Sequence, residues 1–415
     1  MIKMPMMRIP ILIMLVLTLA ACSQATPAPA TEVLVSSTPT TAPISPTRGP
    51  GCTVVTRPSE AETTQQSPVA AVGSKDWVKG PPNAPLTIIE YSDFQCPGCA
   101  YVAPVLVSLQ EKYPEKVRLV FRHYPLVVLY DKTALAAQAA EAAGMQDRFW
   151  EMHDLLFSRQ QEWAEMPPAE FQAWLIKNAG NFELDPAQFE KDLTSQALID
   201  KAQQAYDENY ALRMPGTPYL LINGEPYNGP LSTGDLEAMI ELTLLEERQF
   251  TDCPPFSIDP SKQYLAVLQT DKGDITLDLF ADQAPLAVNN FVFLARQGWY
   301  DGVTFHRVLP DFMAQTGDPT GTGYGGPGYA FDNEITDLKF DSPGVVGMAN
   351  AGPGSNGSQF FITYAAAPHL DGGFTIFGRL VSGMDVLQKL TPRDPSQPVD
   401  LPPGDKINHV TIIEK

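Results

Sequence analysis

The sequence predicts a multi-domain chain: an α/β domain with a helical insertion, followed by an all-β domain closed into a barrel. Two observations carry this. Between residues 76 and 250, strand-like and helix-like segments alternate, with a Cys-x-x-Cys at the first strand-to-helix junction. After a break at 251–262 marked by Pro254, Pro255 and Pro260, short strands and Gly-rich turns follow one another to the end, as in a barrel. A length of 415 residues fits this, because at about 150 residues per domain it exceeds one ordinary core.

The domains are preceded by two further stretches. In residues 1–22, Lys3 and Arg8 form a basic start, Ile9 to Leu19 is apolar, and Leu19-Ala20-Ala21-Cys22 closes the run with small residues. The apolar run is shorter than the roughly 20 residues that span a bilayer, so a cleaved leader is the better reading. Its ending is similar to a bacterial lipoprotein signal, which implies lipidation of Cys22 and a place outside the cytoplasm, anchored to the membrane by lipid alone. Residues 23–75 are rich in Ser, Thr, Pro and Ala without periodicity and are expected to be a disordered tether. The net charge of −20 argues against nucleic acid or an anionic lipid surface as the main partner, since either would call for a basic patch.

Of the five cysteines, Cys96 and Cys99 sit in Phe94-Gln95-Cys96-Pro97-Gly98-Cys99, after the apolar strand-like run from Pro85 to Tyr91. With Cys96 as N-cap and Pro97 opening the helix, a Cys96 thiolate faces the free amides of Gly98 and Cys99 and the positive end of the helix dipole. That makes Cys96 the nucleophile and Cys99, one turn deeper, the resolving thiol. A zinc site is disfavoured, because four matched ligands are needed and no second Cys-x-x-Cys or paired-histidine motif exists. Cys52 and Cys253 remain, either as a structural disulfide or as two free surface thiols.

Past Cys99, Val117 to Tyr124 is a second strand, which the intervening helix makes parallel to the first. Pro104 is expected to kink that helix. Helical segments follow at about Asp131–Ala143, Asp147–Phe157, Pro168–Asn178 and Pro186–Leu212, then a strand at Tyr219–Ile222, a hairpin turn at Asn223-Gly224, and a helix at about Thr233–Glu247. His123 and His153 read as packing or surface residues. From Trp77 to Phe250 the chain resembles the thioredoxin fold, in the disulfide-oxidoreductase branch with a helical insertion, like DsbA and its relatives. The likeness rests on Asp93 to Cys99, Pro104, and Gly216-Thr217-Pro218 before a strand. It implies a cis Pro218 facing the cysteine pair, with the Thr217 backbone binding an extended substrate, and a redox partner for the pair.

In the second half, Ile275, Leu277 and Leu279 alternate with Thr276 and Asp278, a half-buried strand, and a helix from about Ala284 to Arg296 ends at Gly298. Residues 263–415 closely resemble the cyclophilins. The matching residues are Phe305-His306-Arg307, Phe312 to Asp318, Met348 to Pro353, Asn356 to Ile362, Leu370-Asp371-Gly372 and Phe377-Gly378. The resemblance implies a closed barrel with two helices that isomerises the bond before proline without metal or cofactor. Arg307 would donate to the proline nitrogen as amide resonance is lost. Phe312, Met313, Phe361 and Leu370 would hold the proline ring; Gln315, Asn350 and Gln359, with Ala349 beside them, would bind the peptide backbone. His369 stands where many members carry tryptophan, and Phe374 where many carry histidine. The Gly321–Gly326 stretch lacks the strand, spacing and helix of a nucleotide loop and matches the flexible loop after Asp318 in that family.

Together these readings describe an extracytoplasmic, lipid-anchored catalyst acting on unfolded or partly folded exported polypeptides. The alternatives are a non-catalytic holdase or scaffold, whose sites would be degenerate, and a reductase serving one dedicated partner. Four residues do not set the direction of electron flow.

Overall fold

The computed structural model describes residues 47–49, 51–55, 69–397 and 401–415. Residues 1–22 with Cys22, and most of 23–75, lie outside the described residues. The described part of that stretch is not a structureless tether. β1 (Thr47–Gly49) and β2 (Cys52–Val54) form a hairpin, and β2 pairs with a strand of the C-terminal domain. A disulfide joins Cys52 to Cys253. The run Cys52-Thr53-Val54-Val55 is β-branched after its cysteine and suits a ladder. Val69 and Val72 pack on the core of the next domain, and Asp76 takes the Arg122 guanidinium through two hydrogen bonds of 2.7 and 2.9 Å. Ordered structure therefore begins before residue 76.

In the first domain, β3 (Trp77–Lys79), β4 (Leu86–Ser92), α1 (Pro97–Lys112) and β5 (Val117–His123) come in sequence, and β4 and β5 are parallel as the crossover requires. The insertion consists of α2 (Thr133–Gly144), α3 (Phe149–Ser158), α4 (Gln160–Trp163), α5 (Pro168–Ala179), α6 (Pro186–Leu193) and α7 (Gln196–Ala211). The single helix expected over 186–212 is two, because the Ser195 side chain caps the second by accepting from the Leu198 amide. Pro104 lies inside α1, which runs on to Lys112. β6 (Tyr219–Ile222) and β7 (Glu225–Tyr227) complete a five-stranded sheet in the order β3-β5-β4-β6-β7, turning through Asn223 and Gly224 at φ 49° and 88°. α8 (Thr233–Leu245) closes the domain against α1 and β4.

The segment expected to be a linker, 251–262, is packed: Ile258 is buried in the C-terminal core, and Asn289 Oδ1 accepts from the Ser257 amide at 2.7 Å. β8 (Tyr264–Thr270), β9 (Gly273–Leu279), α9 (Pro285–Arg296), β10 (Val303–Thr304), β11 (Arg307–Leu309), β12 (Met313–Thr316), β13 (Tyr329–Phe331), β14 (Val345–Met348), β15 (Phe360–Thr363), β16 (Ile376–Ser382), α10 (Met384–Leu387) and β17 (Lys406–Glu414) follow. Nine of these strands make one curled antiparallel sheet among the described residues, β10-β17-β8-β9-β16-β14-β15-β12-β11. The barrel is not closed, contrary to expectation. Its edge strands β10 and β11 are two and three residues long and are joined through Phe305 and His306, which leaves no length for one to fold back on the other. The Phe305 amide donates to Asp405 O (2.9 Å), which extends the β10–β17 pairing by one residue, and Val308 of β11 bridges to Arg393. β13 lies outside this sheet and pairs with β2.

Candidate active sites

Cys96 is the N-cap of α1, with φ −70° and ψ 123°, followed by Pro97 at the first helical position. Its residue is 7 % exposed while Cys99 is wholly buried, so only Cys96 is open to attack from outside. The thiols are free. The Cys99 thiol, hydrogen-bonding to the Cys96 sulfur, is the main cause that lowers the Cys96 pKa to about 5; Thr217 and the Cys99 and Gly98 amides act the same way, against burial. Burial pushes the Cys99 thiol far up. Cys96 makes no capping hydrogen bond of its own as a thiol; it donates to Thr217 O at 3.5 Å. The buried Thr217 hydroxyl has no partner among the described residues and is left for a thiolate.

The Thr217–Pro218 peptide is cis. Gly98 explains how closely the proline approaches: a Cβ there would lie 3.1 Å from Pro218 Cδ. The insertion braces the motif. Asp93 accepts from the Gln95 and Leu126 amides (2.7 Å each) and from the Thr133 hydroxyl, while Gln160 Nε2 donates to Phe94 O (2.7 Å) and Cys96 O (3.0 Å).

Glu90 was not singled out from the sequence. It is fully buried in β4, accepts from Ser92 Oγ at 2.7 Å, and burial raises its pKa to about 7, with Cys96 adding to the rise. Both Ser92 and Glu90 are close enough to Cys99 to shift its thiol, Glu90 upward and Ser92 downward. Glu90, with Ser92 beside it, therefore offers the deep thiol a proton acceptor that works near neutral pH. The signal in the sequence is a lone acid in the apolar run Pro85–Tyr91.

His123 and His153 both pack edge-on against Phe94, two residues before Cys96. His153 is buried among Phe94, Phe121, Trp150 and Phe157. His123 Nε2 meets Glu141 at 3.0 Å, and Glu141 also accepts from Trp77 Nε1 (2.9 Å) and Lys201 Nζ (2.5 Å). Burial alone would raise the Glu141 carboxyl, but these partners outweigh it and hold it at about 2, against an ordinary 4.5. A depressed carboxylate stabilises the fold above its unfolded pKa, and that contribution is lost as pH falls from about 4.5 toward 2. We expect it to be about 3 kcal/mol. Glu141→Gln should lower the neutral-pH melting point and flatten the acid limb of stability over that window. An acid limb identical to wild type would refute the assignment.

The second site is built on cross-strand register. Arg307 lies opposite Gln315, and Gln315 opposite Phe361, so the three share one face of β11-β12-β15. The adjacent row, Val308, Ala314 and Ile362, points into the main core. Gly347 continues the Arg307 row, and a Cβ there would meet the Phe361 ring at 2.7 Å. Met313 and Phe361, with the partly buried Phe312, Leu370, Ala349 and Phe374, form an apolar cluster separate from the main core. Phe374 meets Phe361 edge-on at 5.7 Å and the exposed His369 lies 5.4 Å from Phe312, so both departures from the family pattern sit on the rim.

Gln315 Nε2 donates to Gln359 Oε1 (2.9 Å), and Gln359 Nε2 to the carbonyls of Gly323 (2.8 Å) and Gly325 (3.0 Å). Asn350 Nδ2 reaches Gly373 O at 3.2 Å. Among the described residues no group accepts a hydrogen bond from the Arg307 side chain, which leaves its donors for a ligand. The 320–325 loop is braced by buried Asp318, which accepts from the Thr320, Gly323 and Gly325 amides at 2.7–3.1 Å. Among the described residues no group of three or more His, Cys, Asp or Glu could hold a metal ion.

Fold and sites together define a two-domain chain, thioredoxin-like and then cyclophilin-like. A family model described as cyclophilin type peptidyl-prolyl cis-trans isomerase/CLD matches residues 265–412, and one described as thioredoxin matches 73–242. Peptidyl-prolyl cis-trans isomerase ppi1 of Schizosaccharomyces pombe is 54% identical over 127 residues, 30% of this chain and 82% of the relative. Peptidyl-prolyl cis-trans isomerase-like 1 of Emericella nidulans is 52% identical over 125 residues, 29% of this chain and 77% of the relative. A crystal structure of a cyclophilin type peptidyl-prolyl cis-trans isomerase from Cryptosporidium parvum is 37% identical, covering 36% of this chain and 98% of that one, with a TM-score of 0.34. Through its C-terminal domain, the chain belongs to the cyclophilin type peptidyl-prolyl cis-trans isomerase family.

Proposed function

We propose that this chain is an extracytoplasmic folding catalyst, anchored through a lipid on Cys22, that joins proline isomerisation at Arg307 to thiol–disulfide exchange at Cys96 and Cys99. The observation that carries the reading is that both sites keep a complete chemical set: the Arg307–Gln315–Phe361 row beside an apolar pocket, and an acidified Cys96 facing Pro218. A holdase or scaffold would have no need of either.

At the isomerase site the apolar cluster takes the proline ring while Gln315, Gln359 and Asn350 hold the flanking backbone. The Arg307 guanidinium donates to the proline nitrogen as it pyramidalises, a bond stronger in the twisted state than in either planar isomer. At the redox site the Cys96 thiolate attacks one sulfur of a substrate disulfide, forming a mixed disulfide and releasing the other sulfur as a thiolate. Cys99 gives its proton to Glu90 and attacks the Cys96 sulfur, leaving the Cys96–Cys99 pair oxidised and the substrate reduced. Run backwards, with the pair reoxidised by a disulfide-bearing partner, the same steps insert a disulfide into the substrate. Exposed Val128 and Leu129, in the loop that leads into Tyr130 near the Cys96 sulfur, give an unfolded segment an apolar surface.

The place outside the cytoplasm is supported by the leader and by the Cys52–Cys253 disulfide, which suits an oxidising compartment. Both reactions are slow steps of folding. The test is refolding of an exported substrate that has one disulfide and one cis proline. Cys96→Ser should remove the acceleration of the disulfide phase alone, and Arg307→Ala that of the proline phase alone. Unchanged kinetics with both variants would reject the joint role.

A further inference from the structure

Beside Gln315 and Gln359 lies a cavity of about 390 Å³, also lined by Asn350 and Tyr324. Part of its wall comes from outside the isomerase fold: Val55 of the N-terminal hairpin and Gln249, just past α8 of the first domain. We propose that Gln249 and Val55 are specificity-determining residues for proline isomerisation, selecting the substrate side chain two positions before the proline, and that the Cys52–Cys253 disulfide keeps them in place. The inference rests on the isomerase reading above.

Both segments converge on Gly328. Its carbonyl accepts from the Val55 amide at 2.8 Å, and a Cβ on it would strike Phe250 O at 2.5 Å and the Gln249 side chain at 3.0 Å. Only glycine, here at φ +89°, allows the first domain's tail to lie so close. The rest of the tail is fitted as firmly. Leu245 is buried in the C-terminal core, the Phe250 amide donates to Pro327 O (2.8 Å), and the Phe250 ring lies 5.0 Å from Phe293. Arg248 lies over the Trp299 ring and donates to Trp299 O (2.8 Å). The hairpin has less support. β2 pairs with three residues of β13, and a two-stranded ribbon is marginal alone, so the covalent tie to Cys253 matters most there.

The position selected follows from strand geometry. A peptide bound along Gln315 and Gln359 with its proline in the apolar pocket is extended, and side chains two apart in an extended chain point the same way. The residue two before the proline therefore faces the cavity. No charged side chain lines that space. Gln249 Nε2 is committed to Gly326 O at 2.9 Å, whereas its Oε1 accepts from no group among the described residues. The chemistry favoured is an uncharged side chain with a hydrogen-bond donor, such as threonine.

The test uses the full chain and the peptides Thr-Ala-Pro-Phe and Val-Ala-Pro-Phe, whose first residues differ in a hydroxyl but hardly in shape. In the wild type, kcat/KM should favour threonine about fivefold, one ordinary hydrogen bond. Gln249→Ala should bring the ratio close to one. The double variant Cys52→Ser with Cys253→Ser alters no Gln249 atom and should also bring it down. A wild-type ratio near one, or a ratio kept by Gln249→Ala, overturns the role of Gln249. A ratio kept by the double serine variant overturns the clasp. Activity on neither peptide in the wild type overturns the isomerase reading and this inference with it, whereas intact activity without selectivity overturns the inference alone.

Discussion

Arg307→Ala should lower kcat/KM for X-Pro isomerisation by about 100- to 1000-fold, the loss expected when a preorganised donor to the transition state is removed. The reason lies in what the reaction offers an enzyme to hold. The planar cis and trans amides put the nitrogen lone pair into resonance, and only the twisted state, near the top of a barrier of about 20 kcal/mol, presents it as an acceptor. Arg307 stands on the same face as Gln315 and Phe361, at the edge of the apolar pocket, with a side chain that makes no hydrogen bond among the described residues. Arg307→Lys keeps the charge but not the planar fork, and should recover only part of the rate. Exchange between isomers of an Ala-Pro peptide, followed by NMR with unfolding midpoints as the folding control, measures both. A loss under tenfold in a folded Arg307→Ala chain would place the catalysis elsewhere.

The parts of this molecule that could be read from sequence are those set by local chemistry. Cys96-Pro97 at a helix start, Asn223-Gly224 at a hairpin and the alternation through Ile275 to Leu279 all appear where the residue types demand. What escaped was decided by contacts far apart in sequence. Glu90 looks like any acid in a strand until β4 is covered on both faces, and only then does burial raise its carboxyl. The Cys52–Val54 strand is hidden in a Ser/Thr/Pro-rich composition, and its partners, Tyr329 to Phe331, lie about two thirds of the chain away. Barrel closure was misread because Gly-rich turns count strands without giving their lengths, and β10 and β11 are too short to pair. In the isomerase site the motif residues were legible by family likeness, whereas Gln249 and Val55 were invisible, belonging to no cyclophilin pattern at all.

Cys96→Ser should abolish thiol–disulfide exchange, whereas Cys99→Ser should stop it halfway and accumulate the mixed disulfide on Cys96. The asymmetry follows from exposure and acidity: Cys96 is the reachable sulfur and is held as a thiolate above about pH 5, while buried Cys99 stays protonated until a base takes its proton. Alkylation of Cys96 in the reduced chain should therefore be nearly flat between pH 6 and 8, where an ordinary thiol gains roughly tenfold per pH unit. The second step should behave differently. Glu90 is neutral below about pH 7 and can accept a proton only above it, so release of the substrate from the mixed disulfide should speed up through that pH. Glu90→Gln should remove that rise and slow release by roughly 100-fold while leaving the first attack fast, because the amide keeps the shape and loses the base. Rapid-quench trapping of the mixed disulfide separates the two steps. If Glu90→Gln instead slowed attack and release alike, Glu90 would be acting through the packing of β4, and the proton would have to leave Cys99 by another route.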